Sequence, residues 1–259
     1  MMGRIIKTEL WKLKRYHILW AGILLMLLSV VLTLFTATAQ DGSVWTFPFL
    51  VEQVIKNNAT TIFPLCIALI AGYMIAREET DDTLKSILAV PISYRALLCG
   101  KLVVCAGLSL LFGLSSGVFT LAGEMLVQFP GLTLAAILQG LLQIILNCFF
   151  LYLAVLPVIV AAFLLSGGPM LGAVVAFVYG YGGMFAAGND TFSNVYPIMA
   201  SLGMVAYRSY EVHWNLPLCC ASMVAVILLS ALLLLVAGSG KDRKGRKKGK
   251  SSIPMKKGW

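Results

Sequence analysis

The sequence predicts an all-α integral membrane protein with six transmembrane helices, an N-terminal interface helix and a charged cytoplasmic helix between spans two and three. Three observations predict it. Of 259 residues, 59% are hydrophobic and only 12% charged. The mean hydropathy of +0.90 lies well outside the range of a soluble domain. Apolar runs long enough to cross a bilayer, about 20 residues for roughly 30 Å of hydrocarbon, recur along the chain.

The first element covers residues 1–17. Between Arg4 and Tyr16, Ile6, Leu10 and Leu13 recur at helical spacing among Lys7, Lys12, Lys14 and Arg15, the pattern of a short amphipathic helix lying in the interface. The transmembrane region, residues 18–237, follows with runs at Ile18–Thr38, Ala59–Ala76, Leu97–Leu121, Leu132–Leu165, Met170–Ala187 and Leu216–Ala237. The first run has full span length and basic residues before it, so it reads as a retained span rather than a signal peptide. The fourth is the longest, and Pro157 marks a place for a tilt or break.

Charge orients the molecule. All lysines and arginines except Lys56 and Arg208 fall before the first span, in the loop after the second or behind the last. By the positive-inside rule both termini and that loop are cytoplasmic. Residues 238–259 carry many bases without hydrophobic periodicity, which predicts an unstructured tail near anionic lipid rather than a nucleic-acid-binding element. On the outer side only residues 188–215 are long; their apolar middle is too short to span and is interrupted by Pro197 and Gly203, so a re-entrant or interface-lying segment is expected. The six cysteines show no CxxC spacing and read as reduced, packed thiols.

The internal loop "REETDDTLKSILAVPISYRALLCGK" concentrates Glu78, Glu79, Asp81 and Asp82 beside four bases. Asp81 and Asp82 suit a helix N-terminus, where carboxylates accept from free N–H groups and oppose the positive dipole end. Thr83 and Leu84 follow; Leu84, Ile87 and Leu88 then share a face, and Pro91 ends the helix. Ser93 is placed to cap the next helix, with Lys101 expected at the water boundary. The product is a short amphipathic helix over 78–91.

This arrangement resembles the ABC-2 family of transporter permeases. The resemblance is carried by "KTELWKLKR" and by Thr83-Leu84, Pro91, Ser93, Gly100 and Lys101, with Asp82 standing where many members have glycine. Within the family, the compact size is most similar to the bacitracin and lantibiotic immunity permeases. The resemblance implies a six-span permease in a bacterial cytoplasmic membrane whose 78–91 helix couples to a separate ABC ATPase. It further implies two ATPase copies, a second permease subunit, identical or paralogous, and ATP and Mg bound by the ATPase rather than by this chain. The sequence agrees on that last point, since neither "GSGKD" nor "LLCGKLV" completes G-x-x-x-x-G-K-[ST]. "LSGGP" at 165–169 reads as a turn, not an ATPase signature.

Polar residues mark two stripes within the spans, Ser116, Thr120 and Glu124 on one and Gln139, Gln143 and Asn147 on the other, each at a spacing of four. They are candidates for a substrate path or dimer seam, or for plain interhelical hydrogen bonds. Asp190, Arg208, Glu211 and His213 are candidates for an outer rim. No His, Cys and carboxylate cluster suggests a metal, and no H-E-x-x-H suggests a membrane protease. A non-transporting binding or immunity protein and an ion-coupled transporter remain the alternatives to an exporter of an amphipathic peptide, drug or lipid-like compound.

Overall fold

A computed structural model describes residues 2–14, 17–38, 44–80, 94–165, 168–209 and 212–248. Helix α1 is Met2–Lys14 and α2 is Ile18–Ala37. Helix α3, Phe47–Asn57, runs through a π turn at Asn58–Ile62 into α4, Phe63–Thr80. Helices α5, Tyr94–Val127, and α6, Leu134–Leu165, are the long central pair. Helix α7 is Gly168–Ala186, the outer α8 and α9 are Asp190–Val195 and Pro197–Met204, and α10 is Leu216–Lys248.

Among the described residues, five helical stretches are long and apolar enough to cross a membrane: Ile18–Ala37, Phe47–Ile75, Arg95–Val127, Leu134–Ala162 and Leu216–Val236. The sixth apolar stretch, Met170–Ala186, is shorter. It stops where Gly188-Asn189 breaks the run and the Asn189 side chain accepts from the Phe192 N–H to cap α8. The expectation of six full-length spans is therefore met by five, with α7 at the short end of the usual range.

Glycine sets the distance between helices. Helix α5 presses Gly113 so near α6 that a Cβ there would lie 2.8 Å from the Ile145 Cα. Helix α7 meets α4 through Gly180, where a Cβ would lie 2.9 Å from both the Pro64 ring and the Thr60 carbonyl. Such close backbone approach lets dispersion forces hold helices together in lipid, where no hydrophobic gradient does so. Phe63, Ile67 and Ile70 of α4 and Phe112 of α5 fill the core between them. The exposed Trp20, Leu24 and Phe35 of α2 and Leu228, Leu232 and Val236 of α10 form apolar outer faces suited to hydrocarbon.

Several boundaries differ from expectation. The second span begins at Phe47 rather than Ala59, because Thr46 caps α3 through its hydroxyl and Pro48 sits in the first turn, where its missing N–H costs nothing. Helix α6 continues through Pro157, and α10 extends to Lys248 where an unstructured tail was expected from Gly238. No proline interrupts α10 between Pro217 and Lys248, and isolated glycines weaken a helix by only about 1 kcal/mol each. Residues 249–259 lie outside the described residues.

The glycine seam yields a stability prediction. Gly113→Ala should lower the melting temperature in detergent, by an overpacking cost of about 1–3 kcal/mol. Gly107→Ala, with nothing within 4 Å of its would-be Cβ, should leave it unchanged or raise it slightly.

Candidate functional site

Helix α1 carries a single acid among its bases, and it turns that acid inward. Ile5, Glu9 and Leu13, spaced at i, i+4 and i+8, are the buried face, while Leu10 and Trp11 are exposed. The expected apolar face of Ile6, Leu10 and Leu13 is thus rotated: Leu13 is buried, Ile6 is half-buried, and Leu10 points away. Trp11, 71% exposed, is suited to the headgroup layer.

Lys101 receives Glu9. Its Nζ donates to Glu9 Oε2 at 2.8 Å and to the Met74 carbonyl of α4 at 3.0 Å, with both charged side chains about 2–3% exposed. Lys101 is buried and not at the water boundary as its sequence position suggested, because α1 covers it. Gly100 makes this possible: a Cβ at that position would fall 2.5 Å from Ile5 Cγ2. The second Glu9 oxygen accepts from Lys12 Nζ at 2.7 Å. Burial alone would raise the Glu9 carboxyl, but the charge and hydrogen bond of Lys101, with Lys12 behind, hold it below its ordinary range.

The same end of α5 reaches two more helices. The Arg95 guanidinium donates to the Leu235 carbonyl of α10 at 2.7 Å, and the Tyr152 hydroxyl of α6 donates to the Leu102 carbonyl at 2.7 Å. Through Arg95, Lys101 and Leu102, α5 holds α1, α4, α6 and α10 at the basal end of the bundle.

Of the residues expected to couple to an ATPase, Asp81, Asp82, Thr83, Leu84, Ile87, Leu88 and Pro91 lie outside the described residues. Glu78 and Glu79 belong to the last turn of α4.

The two polar stripes divide in fate. Ser116 is buried and accepts from Asn58 Nδ2 at 3.0 Å, tying the π turn to α5, and Thr120 donates back to the Ser116 carbonyl. Glu124 and Asn147 are each 1% exposed; the Asn147 amide has no hydrogen-bond partner among the described residues, and the Glu124 carboxylate meets only the Phe129 backbone there. Gln139 is exposed, and Gln143 donates to the Val205 carbonyl at 3.1 Å. Ser116 belongs to a helix contact and Gln143 to the outer turn.

The expected rim divides as well. Asp190 Oδ1 accepts from the His213 N–H at 3.3 Å, and Asn194, buried at 3% exposure, bonds the His213 carbonyl and the Asn215 N–H. These are staples holding the chain before α10, and Asn194 was not legible as one from sequence. Glu211 lies outside the described residues. Arg208 instead lines two adjoining cavities. The larger, of about 270 Å³, lies among α3, α7, α9 and residues 207–209, 212 and 214; the smaller, of about 190 Å³, lies between α3 and α6 and is lined by Gln139 and Gln143.

Residues 5–183 match the family described as ABC-2 family transporter protein. The chain is also 31% identical over 91 residues to the bacitracin transport permease protein BCRB of Bacillus licheniformis, across 35% of this chain and 44% of that protein. The matched stretch therefore spans less than half the length of this curated relative.

The ion pair yields two predictions. Glu9→Gln should destabilise the protein by about 3–5 kcal/mol, because it strands the buried Lys101 ammonium; Lys101→Met should cost less, since Lys12 still pairs Glu9, and the double variant should recover most of the larger loss. A double-mutant cycle of thermal stability in detergent reads this. Because the folded-state pKa of Glu9 is depressed, its stabilisation is present above the ordinary value of about 4.3 and is lost as pH falls through the lowered value. Hydrogen exchange of the α1 amides should stay slow through mildly acidic pH and accelerate only below the ordinary carboxylate range.

Proposed function

As the chain belongs to the ABC-2 family of transporter proteins, a family of transporter membrane subunits, we propose that it is the permease of an ABC exporter moving an amphipathic compound with ATP hydrolysed by a separate ATPase. The observation that carries this reading is the basal junction, where Lys101 of α5, paired with the buried Glu9, bonds the Met74 carbonyl of α4, the two helices that flank the charged loop in the sequence. A force applied to that loop reaches two helices directly and α1, α6 and α10 through α5's side-chain contacts.

In this proposal residues 78–91 form the coupling helix, with Glu78, Glu79, Asp81 and Asp82 entering a basic cleft of the ATPase and Leu84, Ile87 and Leu88 supplying the apolar contact. Two ATPase copies bind ATP and Mg, and a second permease, identical or paralogous, completes the seam. Helix α7 is the sixth span, both termini are cytoplasmic, and the membrane is the bacterial cytoplasmic membrane. The likeness to a bacitracin permease favours an antimicrobial peptide or similar amphiphile as cargo.

Buried Glu124, whose carboxylate meets the Phe129 backbone and no basic side chain that the structure pairs with it among the described residues, favours ion coupling as a second reading. Glu124→Gln separates the two: ATP-driven export should persist, whereas an ion-coupled carrier should stop. For the coupling helix, affinity purification from native membranes should recover an ATPase with the wild type. Changing Asp81 and Asp82 to Lys should remove or weaken its recovery while leaving the permease folded. Equal ATPase recovery with both proteins would reject the docking role.

A further inference from the structure

Glu124 and Lys101 are buried ionisable residues near opposite ends of α5, separated along its axis by about 34 Å at 1.5 Å per residue. That exceeds roughly 30 Å of hydrocarbon, so the two stand at opposite membrane boundaries. Lys101 has Glu9 as its counter-ion. Glu124, 1% exposed, pairs with no basic side chain among the described residues, and its carboxylate meets only the Phe129 backbone there. A carboxylate so placed is complementary to a cation that the chain itself does not supply.

The backbone around it is held in one shape. Helix α5 ends at Val127, and Gln128 adopts φ +59° while its N–H donates to the Glu124 carbonyl at 2.7 Å. A residue other than glycine keeps that conformation only where its surroundings enforce it. The Pro130 carbonyl then accepts from the Phe47 N–H at 3.1 Å, which joins this turn to the start of α3.

Aromatic rings gather at the same turn. Trp45 stacks on Phe129 with ring centroids 5.9 Å apart and meets Phe49 edge-on at 4.9 Å. The Trp45 indole N–H is buried and has no acceptor among the described residues. A carboxylate without a cation, ring faces that attract one and a donor without an acceptor therefore meet around Phe129. Met125 and Leu126, next to Glu124 in the chain, are 75% and 84% exposed and offer an apolar surface to acyl chains.

We propose that this turn binds the head of an aminophospholipid at the membrane boundary, its primary ammonium donating to Glu124 beside the Phe129 ring and its phosphate accepting from the Trp45 indole N–H. Trp45 is half-buried, and a tilt of its side chain off Phe129 admits the head without moving α3 or α5. Occupancy needs neither ATP nor a partner subunit, so the site stands or falls apart from the exporter reading.

Native mass spectrometry of the full chain in neutral detergent tests it, with phosphatidylethanolamine, phosphatidylcholine, phosphatidylglycerol and free phosphoethanolamine offered as separate probes. The wild type should retain one phosphatidylethanolamine in preference to the other three. Glu124→Gln, of nearly the same shape, should weaken that retention about tenfold, the loss of one charge-assisted hydrogen bond. Trp45→Phe keeps a ring and removes the indole N–H; it should weaken retention about fivefold while preserving the preference over phosphatidylglycerol. It also carries the comparison if Glu124→Gln fails to fold. Equal retention of phosphatidylglycerol or phosphatidylcholine overturns the site, as does retention unchanged in either variant. Free phosphoethanolamine bound as tightly as the lipid overturns the membrane lipid as the ligand.

Discussion

A carboxylate and an ammonium removed together from water at the base of the bundle constrain everything around them. Neither Glu9 nor Lys101 can separate from the other without exposing an unpaired charge to a low-dielectric interior, so α1 is bound to α5. The Met74 carbonyl accepts the same ammonium, which brings the end of α4 into the junction. Dispersion contacts between lipid-embedded helices are easily rearranged, but this polar junction has one low-energy geometry. Helix α5 thus links the charged loop to the spans, with further bonds from Arg95 and Tyr152 fixing α10 and α6.

Above that rigid base the bundle is joined differently. Glycine contacts at Gly113 and Gly180 set the spacing, and isolated polar pairs such as Asn58 with Ser116 and Asn57 with Thr33 add modest, directional links. The π turn at Asn58–Ile62 interrupts the regular ladder of the second span level with the floor of the outer cavity, where Thr60 contributes to the lining. Irregular turns of this kind often occur at functional positions because they re-aim side chains at little cost. The molecule thus has one charged, locked end and an opposite end with cavities between its helices.

Much of the architecture was legible because lipid leaves few alternatives: long apolar runs give helices, and lysine and arginine placement gives an expected orientation. The start of the second span was not legible, because Glu52, Lys56 and Asn57 lower the hydropathy of a stretch that Thr46 and Pro48 nevertheless start as helix. The inward turn of α1 was missed because periodicity weighed only apolar residues. Glu9 at i+4 between Ile5 and Leu13, the lone acid among bases, was the available signal. Gly100-Lys101 was noticed as a motif, but its reason, room for Ile5 above a buried ammonium, requires three dimensions. The polar stripes were legible only as faces: helical spacing places residues on one side of a helix without saying what that side meets. The meeting of Trp45 and Phe129 beside Glu124 depends on tertiary packing and left no local trace.

The central claim is that α1 and the base of α5 move as one body when the charged loop is driven. Ile5 Cβ lies 3.5 Å from the position of a Cβ on Gly100, within the range a disulfide spans, about 3.5–4.5 Å. The most direct measurement is ATP-driven export by the complex carrying Ile5→Cys and Gly100→Cys with Cys99→Ser, compared before and after oxidation. The account predicts that the cross-link forms readily and leaves export intact. Export that stops on oxidation and returns on reduction, with ATP still bound, would show that α1 must slide on α5 and would contradict it.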